Sequence, residues 1–184
     1  MIYKSIRKDN DMNYRCEETY DAEFENAKSI KLGSGRFYYI YRDDQPYVRI
    51  EVRFFEFFSD TVFFHDYFVI GNYDEGIYVI RMCDMNVIHK KISGYFGHFR
   101  IIDDCLYVSG MNNITAFDAC MNEKWTSEDI AVDGALLHEI EGDSIVVSCE
   151  MDPPGGWVDK RIRLSDGKLV PSEKTNRESA NSDA

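Results

Sequence analysis

The chain is a succession of short apolar runs separated by polar, acidic or glycine-containing turns, the pattern of β-strands rather than of helices. "RFYYIYRDDQPYVRIEVRFFEFF" holds two runs of aromatic and β-branched residues around the polar, proline-containing "RDDQP", which predicts a β-hairpin. Thirty residues further on, from Tyr38 to Phe68, "DYFVIGNYDEGIYVI" repeats the design with "NYDEG" as its turn. "DCLYVSGMNNITAFD" is a third copy, with Met111, Asn112 and Asn113 between the runs. "DSIVVSCEMDPPGGWVDKRIRL" is a fourth, with a longer Pro-Gly loop. Alternation within the strands predicts that Phe68, Ile70, Leu106, Val108, Ile145 and Val147 are buried.

The copies are regularly spaced. Asp66, Asp104 and Asp143 each stand just before an apolar strand and lie 38 and 39 residues apart. A period near 40 residues with several strands per unit is what a propeller blade requires. "IYVIRMCDMNVIHK" aligns without gaps on "NITAFDACMNEKWT", matching Met85 with Met121 and Asn86 with Asn122. In "RLSDGKLV" the strong turn dipeptide Asp166-Gly167 falls at the same place. "LYVSGMNNITAFDACMNEKW" thus resembles a blade of the quinoprotein-like or WD-like β-propellers, where an inner strand, a second strand ending in Asp, a turn and a strand carrying Trp follow one another. The likeness is best over residues 104–134, extends to 66–96, and does not cover residues 1–30 or the C-terminal tail. About 140 residues at roughly 40 per unit make at most four units. An open stack of antiparallel sheets therefore competes with a closed ring.

The expected fold class is all-β: antiparallel hairpin repeats of about 40 residues in a small propeller-like or open stacked-sheet arrangement. One domain is expected over residues 1–170, with units near 35–65, 66–103, 104–142 and 143–170. "YDAEFENAK" fits either one short helix or an edge strand, and "PSEKTNRESANSDA", residues 171–184, has the composition of a disordered tail.

Composition adds the compartment and the sign of the partner. The 184 residues, 44% of them hydrophobic, suffice for one core, and a net charge of −12 repels phosphate backbones and anionic lipid while attracting basic partners. The five cysteines are odd in number and form no C-x-x-C pair, so reduced thiols are expected rather than a disulfide framework or zinc site. "MIYKSIRKDNDMNY" has charges where a signal peptide needs apolar residues, and no run approaches the roughly 18 apolar residues of a membrane span. A cytoplasmic location is expected.

Candidate chemistry is sparse. His65 adjoins Asp66 and His138 adjoins Glu139, but neighbours along a strand point to opposite faces. His65 aligns with Asp103 and His98 falls beside Leu137, so the histidines, His89 included, do not recur in register, and structural roles are expected. Cys105 and Cys149 lie within apolar strands, whereas Cys83 and Cys120 lie near turns and are the more reactive candidates. "KLGSGRF" lacks phosphate-loop spacing and runs into a strand, so it reads as a turn, and "DPPGGW" reads as a hairpin loop that presents Trp157 as a contact residue. No catalytic residue, metal or cofactor is assigned.

The acidic pairs Asp43–Asp44, Asp74–Glu75, Asp103–Asp104 and Glu128–Asp129 are ordinary for solvated turns. The first two occupy similar turns of consecutive repeats and are expected along one rim, flanked by Tyr39, Tyr41, Tyr47, Tyr73 and Tyr78. Aromatic anchors among steering charges are the composition of a protein-binding surface. The expected partner-binding residues are Asp43, Asp44, Asp74, Glu75, Tyr41, Tyr73 and Trp157. The expected function is a non-enzymatic, acidic protein-binding module, an immunity-type inhibitor that neutralises a basic, nucleic-acid-cleaving toxin. The alternative is a propeller-like scaffold or sensor binding a small molecule or peptide at the axis of the repeats, and a hydrolase has no motif in its favour.

Overall fold

The computed structural model describes residues 2–9, 12–19, 28–55 and 57–171, and every regular element among them is a strand. The first sheet has five strands, β1 (Ile2–Asp9), β2 (Met12–Thr19), β3 (Lys28–Lys31), β4 (Gly35–Arg42) and β5 (Gln45–Arg53), in the order β1-β2-β4-β5-β3 with β3 parallel to β5. Three four-stranded antiparallel meanders follow in chain order. The second sheet is β6 (Ser59–Phe64), β7 (Tyr67–Asn72), β8 (Gly76–Arg81) and β9 (Val87–Lys90). The third is β10 (Phe99–Ile102), β11 (Cys105–Ser109), β12 (Ile114–Phe117) and β13 (Glu123–Thr126). The fourth is β14 (Ala135–Glu141), β15 (Ser144–Glu150), β16 (Trp157–Arg163) and β17 (Leu169–Val170). None of the sheets closes into a barrel, and the all-β repeat architecture expected from the sequence is present.

The four predicted hairpins are β4–β5, β7–β8, β11–β12 and β15–β16. Each later sheet also takes in the strand before its hairpin, so Asp66, Asp104 and Asp143 lie in the tight turns between the first and second strands. The residue before each aspartate, His65, Asp103 or Gly142, has a left-handed φ of 46°, 49° or 63°. The turns between third and fourth strands repeat as well: Met85, Met121 and Gly167 have φ of 63°, 60° and 73°. Only glycine adopts that conformation freely, and the two methionines are held by aspartate side chains. Asp84, Asp118 and Asp166 accept the backbone N–H of Asn86, Asn122 and Lys168 at 3.1, 2.8 and 3.2 Å. Arg81–Asp84 and Arg163–Asp166 are equivalent ion pairs in the second and fourth sheets. The stretch "YDAEFENAK" lies outside the described residues apart from Lys28, as does the tail beyond Pro171.

Three apolar layers lie between successive sheets. Tyr38, Ile40, Val48 and Ile50 of the first meet Phe68, Ile70 and Ile80 of the second. Val69, Ile77 and Val79 on the other face of the second meet Leu106, Val108 and Phe117 of the third. Tyr107, Ile114 and Trp125 then meet Leu137, Ile145, Val147 and Ile162 of the fourth. One aromatic polar tip crosses each interface to a neighbouring carbonyl: Tyr47 Oη to Met82 O at 3.2 Å, Tyr67 Oη to Cys120 O at 3.3 Å, and Trp125 Nε1 to Leu164 O at 2.9 Å. All six residues expected to be buried are fully buried. Their neighbours Val69 and Tyr107 are buried too, because sheets in the middle of a stack are covered on both faces. On the outer face of the fourth sheet Val146 and Ser148 are half-buried, and Leu136 and Trp157 are exposed. Among the described residues no apolar layer joins the fourth sheet to the first.

Candidate functional site

A seam of backbone hydrogen bonds runs along one end of the stack. Phe96 donates to Tyr73 O at 2.6 Å, Met111 to Ser93 O at 3.1 Å, Gly134 to Met111 O at 2.6 Å and Glu150 to Gly134 O at 3.0 Å. The seam links the β7–β8, β11–β12 and β15–β16 connections, and we call this the seam end. The β5–β6 connection reaches it too, since Asn72 Nδ2 donates to Arg53 O at 3.0 Å. Arg36 positions that connection. It is buried, pairs with Glu18 through Nε at 3.0 Å, donates to Phe55 O at 2.9 Å, contacts Ser59 Oγ, and covers the Phe54 ring.

The segment so held carries Phe57 and Phe58, both exposed. Phe58 has φ of 37°, an outlier for a bulky side chain that costs on the order of 1–3 kcal/mol. In that conformation its ring lies parallel to Tyr95, 5.4 Å between centroids and 4° between planes. Tyr73 stacks on Tyr95 at 5.2 Å and on Phe58 at 6.1 Å. Tyr95 Oη donates to Asp133 Oδ1 at 2.7 Å, and burial together with the adjacent carboxylate raises the phenol well above its ordinary value.

Phe58 and Tyr95 line a cleft of about 390 Å³ together with Gly134–His138, Glu150 and Trp157. Gly134, at φ 107°, lines the cleft with backbone alone: a Cβ there would come within 3.3 Å of the Trp157 ring, 3.6 Å of Tyr95 Oη and 3.8 Å of Glu150 Oε2. The other oxygen of Glu150 accepts the Gly155 N–H at 2.6 Å, which ties the β15–β16 loop down. Asp133 and Glu150 are the two carboxylates of the lining, and no lysine or arginine lines it.

Two histidines also face the cleft, and neither is arranged for acid–base work. His98 Nε2 accepts the Leu137 N–H at 3.1 Å, so the ring proton is on Nδ1, which donates to Ser109 Oγ at 2.8 Å. Burial lowers its pKa and keeps the ring neutral. His138 Nε2 lies 2.8 Å from Ser148 Oγ, which donates to Asp159 Oδ1 at 2.5 Å. A nucleophilic triad needs the histidine between serine and acid, whereas here the serine is in the middle and its proton is committed to the aspartate. Burial pushes the Cys149 thiol up to about 11, which keeps it inert at neutral pH. Among the described residues no group of three or more His, Cys, Asp or Glu is placed to hold a metal, and no helix is long and apolar enough to cross a membrane.

The structure separates the residues expected to share one rim. Tyr73 does not line the cleft but stacks on Tyr95 and Phe58, which do, and Trp157 is part of the lining. Asp74 and Glu75 are at the same end, beside a second cavity of about 420 Å³ shared with Tyr78, His89 and Lys91, and Glu75 Oε2 accepts from Asn72 Nδ2 at 2.7 Å. Asp43 and Asp44 form the β4–β5 turn at the opposite end of β5 from Arg53, a strand of nine residues, roughly 27 Å, away from the seam end. There Asp44 accepts from Arg15 Nε at 3.2 Å, Asp43 accepts the Asn13 N–H at 2.9 Å, and the Arg15 guanidinium covers the Tyr41 ring at 3.7 Å. Tyr39 is buried, and Tyr47 is engaged with Met82. Phe58, Tyr95, Asp133, Gly134 and Glu150 were not anticipated. Their signal is positional: Phe58 and Gly134 immediately precede the first strands of the second and fourth sheets.

No family model and no curated protein matches the chain. Among solved structures it is similar to two computationally designed proteins. Ika8 superposes with a TM-score of 0.54 at 9% identity over 92% of this chain and 60% of that one. Ika4 gives 0.47 at 13% identity over 60% and 68%. The chain spans 60% of the length of Ika8, and this likeness concerns the fold alone.

Proposed function

We propose that this protein is a non-enzymatic binding module for a basic protein, an immunity-type inhibitor of a nucleic-acid-cleaving toxin, and that its four sheets act as the blades of a small, open propeller-like array. The carrying observation is the seam-end cleft, where Phe58, exposed and stacked on Tyr95, and Trp157 share the lining with Asp133 and Glu150, and no lysine or arginine lines it. Aromatic anchors desolvate and hold a partner, while a net charge of −12 steers a basic one and sets the association rate. Toxins that approach phosphate are basic, and an acidic inhibitor gains on-rate against them. The donor order of His138, Ser148 and Asp159 and the neutral His98 speak against a hydrolase.

A second reading, a scaffold or sensor with a small-molecule or peptide site at the axis of the repeats, is favoured by one observation. The residues leading into β6, β10 and β14, namely Phe58, His98 and Gly134, all line the cleft, so it lies where the first strands of three sheets begin. Size-exclusion chromatography of an equimolar mixture with the basic product of the adjacent gene separates the two. A one-to-one complex is expected, and separate elution at micromolar concentration contradicts the inhibitor reading.

A further inference from the structure

We infer that the seam-end cleft seats one arginine side chain of the basic partner, its guanidinium stacked against the Phe58 and Tyr95 wall and directed at the carboxylates of Glu150 and Asp133. This rests on the binding-module reading and names the chemistry that the cleft selects.

The occupant has to bring positive charge, because the lining holds two carboxylates, no lysine or arginine, and in His98 a ring kept neutral by the N–H it accepts. Among the described residues, Tyr95 Oη donates to Asp133 Oδ1 and the Gly155 N–H to Glu150 Oε1, one oxygen of each carboxylate. Glu150 Oε2 is directed toward Gly134 and the cleft. The lining also offers flat aromatic surface: the exposed Phe58 ring lies stacked on Tyr95, 4° from parallel, and Trp157, nearly half exposed at 47%, lines the same cleft. A planar guanidinium stacks on ring faces while its donors reach sideways to carboxylate oxygens, whereas an ammonium is compact and holds its water more tightly. Glycine at 134 keeps the floor clear, since any side chain would meet Trp157, Tyr95 and Glu150 together. The strained φ of Phe58 fits the same account: the cost of 37° is retained at the residue that completes the wall.

The test is isothermal titration of the full-length protein with tetra-arginine amide, tetralysine amide and tetracitrulline amide, citrulline being the uncharged isostere of arginine. Tetra-arginine is expected to bind several-fold more tightly than tetralysine, and tetracitrulline not measurably. Glu150→Gln keeps an acceptor for the Gly155 N–H and is expected to weaken tetra-arginine about fivefold to tenfold. Phe58→Ala should do the same, with circular dichroism confirming the fold. Asp103→Asn, an exposed acid in the β10–β11 turn at the other end, should leave binding unchanged and so separates the cleft from diffuse attraction to a net charge of −12. The inference is overturned if Glu150→Gln and Asp103→Asn behave alike, if tetracitrulline binds as well as tetra-arginine, or if tetralysine binds as tightly as tetra-arginine. A one-to-one complex with the basic partner that survives Glu150→Gln and Phe58→Ala unchanged would remove the arginine assignment and leave the binding-module reading standing.

Discussion

The middle of the stack and its last sheet are built from the same kind of meander, yet they bury their strands differently. In β7 and β11 consecutive residues are buried, Phe68-Val69-Ile70 and Leu106-Tyr107-Val108, because each of these sheets has a neighbour on both faces. In β15 only alternate residues are fully buried: Ile145, Val147 and Cys149 face the third sheet, while Val146 and Ser148 face outward. Stability is concentrated where sheets are sandwiched, and the surfaces left open at the fourth sheet and the seam end are where side chains such as Leu136, Trp157 and Phe58 can be exposed. On the proposed binding-module reading, an exposed aromatic patch of this kind is an interaction surface rather than an unfinished core.

The largest effect should come from the staple that joins the first sheet to the aromatic wall. Arg36→Met removes the guanidinium from the Glu18 carboxylate, whose side chain is only 10% exposed, and from Phe55 O, and a loss of about 3–5 kcal/mol is expected in urea denaturation. The middle and the last sheet can then be compared directly. Leu106→Ala, in a fully buried position between two sheets, should cost about 2–5 kcal/mol, whereas Val146→Ala, half-buried on the outer face, should cost less than about 1 kcal/mol. Equal losses would show that the outer face of the fourth sheet is covered in solution.

A smaller effect concerns the join between the third and fourth sheets, where Trp125→Phe removes the donor to Leu164 O. The unpaired carbonyl should lower stability by about 1–2 kcal/mol, read as a fall in the denaturation midpoint with an unchanged slope. His98 gives the join at the seam end a pH dependence with a defined sign. Burial lowers its folded pKa below the ordinary 6.5, so the unfolded chain takes up the proton first. Its contribution is complete above pH 6.5 and is lost as pH falls from there through the folded pKa. Unfolding midpoints of the wild type should decline across that window, and His98→Gln should flatten the decline.

Much of this architecture is legible in the sequence because turns and strand faces leave local signals. The recurrence of Asp66, Asp104 and Asp143 marks the first turn of each later sheet, and the match of Met85 with Met121 and Gly167 marks three left-handed residues. The first strands were harder to read. β6, β10 and β14 lie outside the four hairpins that define the pattern, and β14 carries His138 and Glu139 in the middle of an otherwise apolar run. The candidate site was only half legible for a different reason. Tyr73 and Trp157 belong to recognisable hairpin connections, whereas Phe58, Tyr95 and Asp133 come from segments between sheets and meet only through long-range packing. The rim expected to join Asp43–Asp44 with Asp74–Glu75 rested on turns that looked alike in sequence, but β4–β5 presents its turn at the opposite end from the seam.

That separation gives the most selective prediction. Reversing Asp74 and Glu75 to Lys should slow association with a basic partner more than reversing Asp43 and Asp44, each pair also losing about 1–2 kcal/mol of stability with the hydrogen bonds to Asn72 or to Asn13 and Arg15. Stopped-flow traces in which the two pairs have equal effects would place the partner away from the seam end.

The central claim, that the seam end is the binding surface, is tested most directly by hydrogen–deuterium exchange of the protein alone and in complex with its basic partner. Protection is expected in the segments around Phe58, Tyr95, Asp133 and the Met151–Trp157 loop, with the Asp43–Asp44 turn unchanged. Protection confined to that turn and the first sheet, with the cleft segments exchanging as in the free protein, would contradict it.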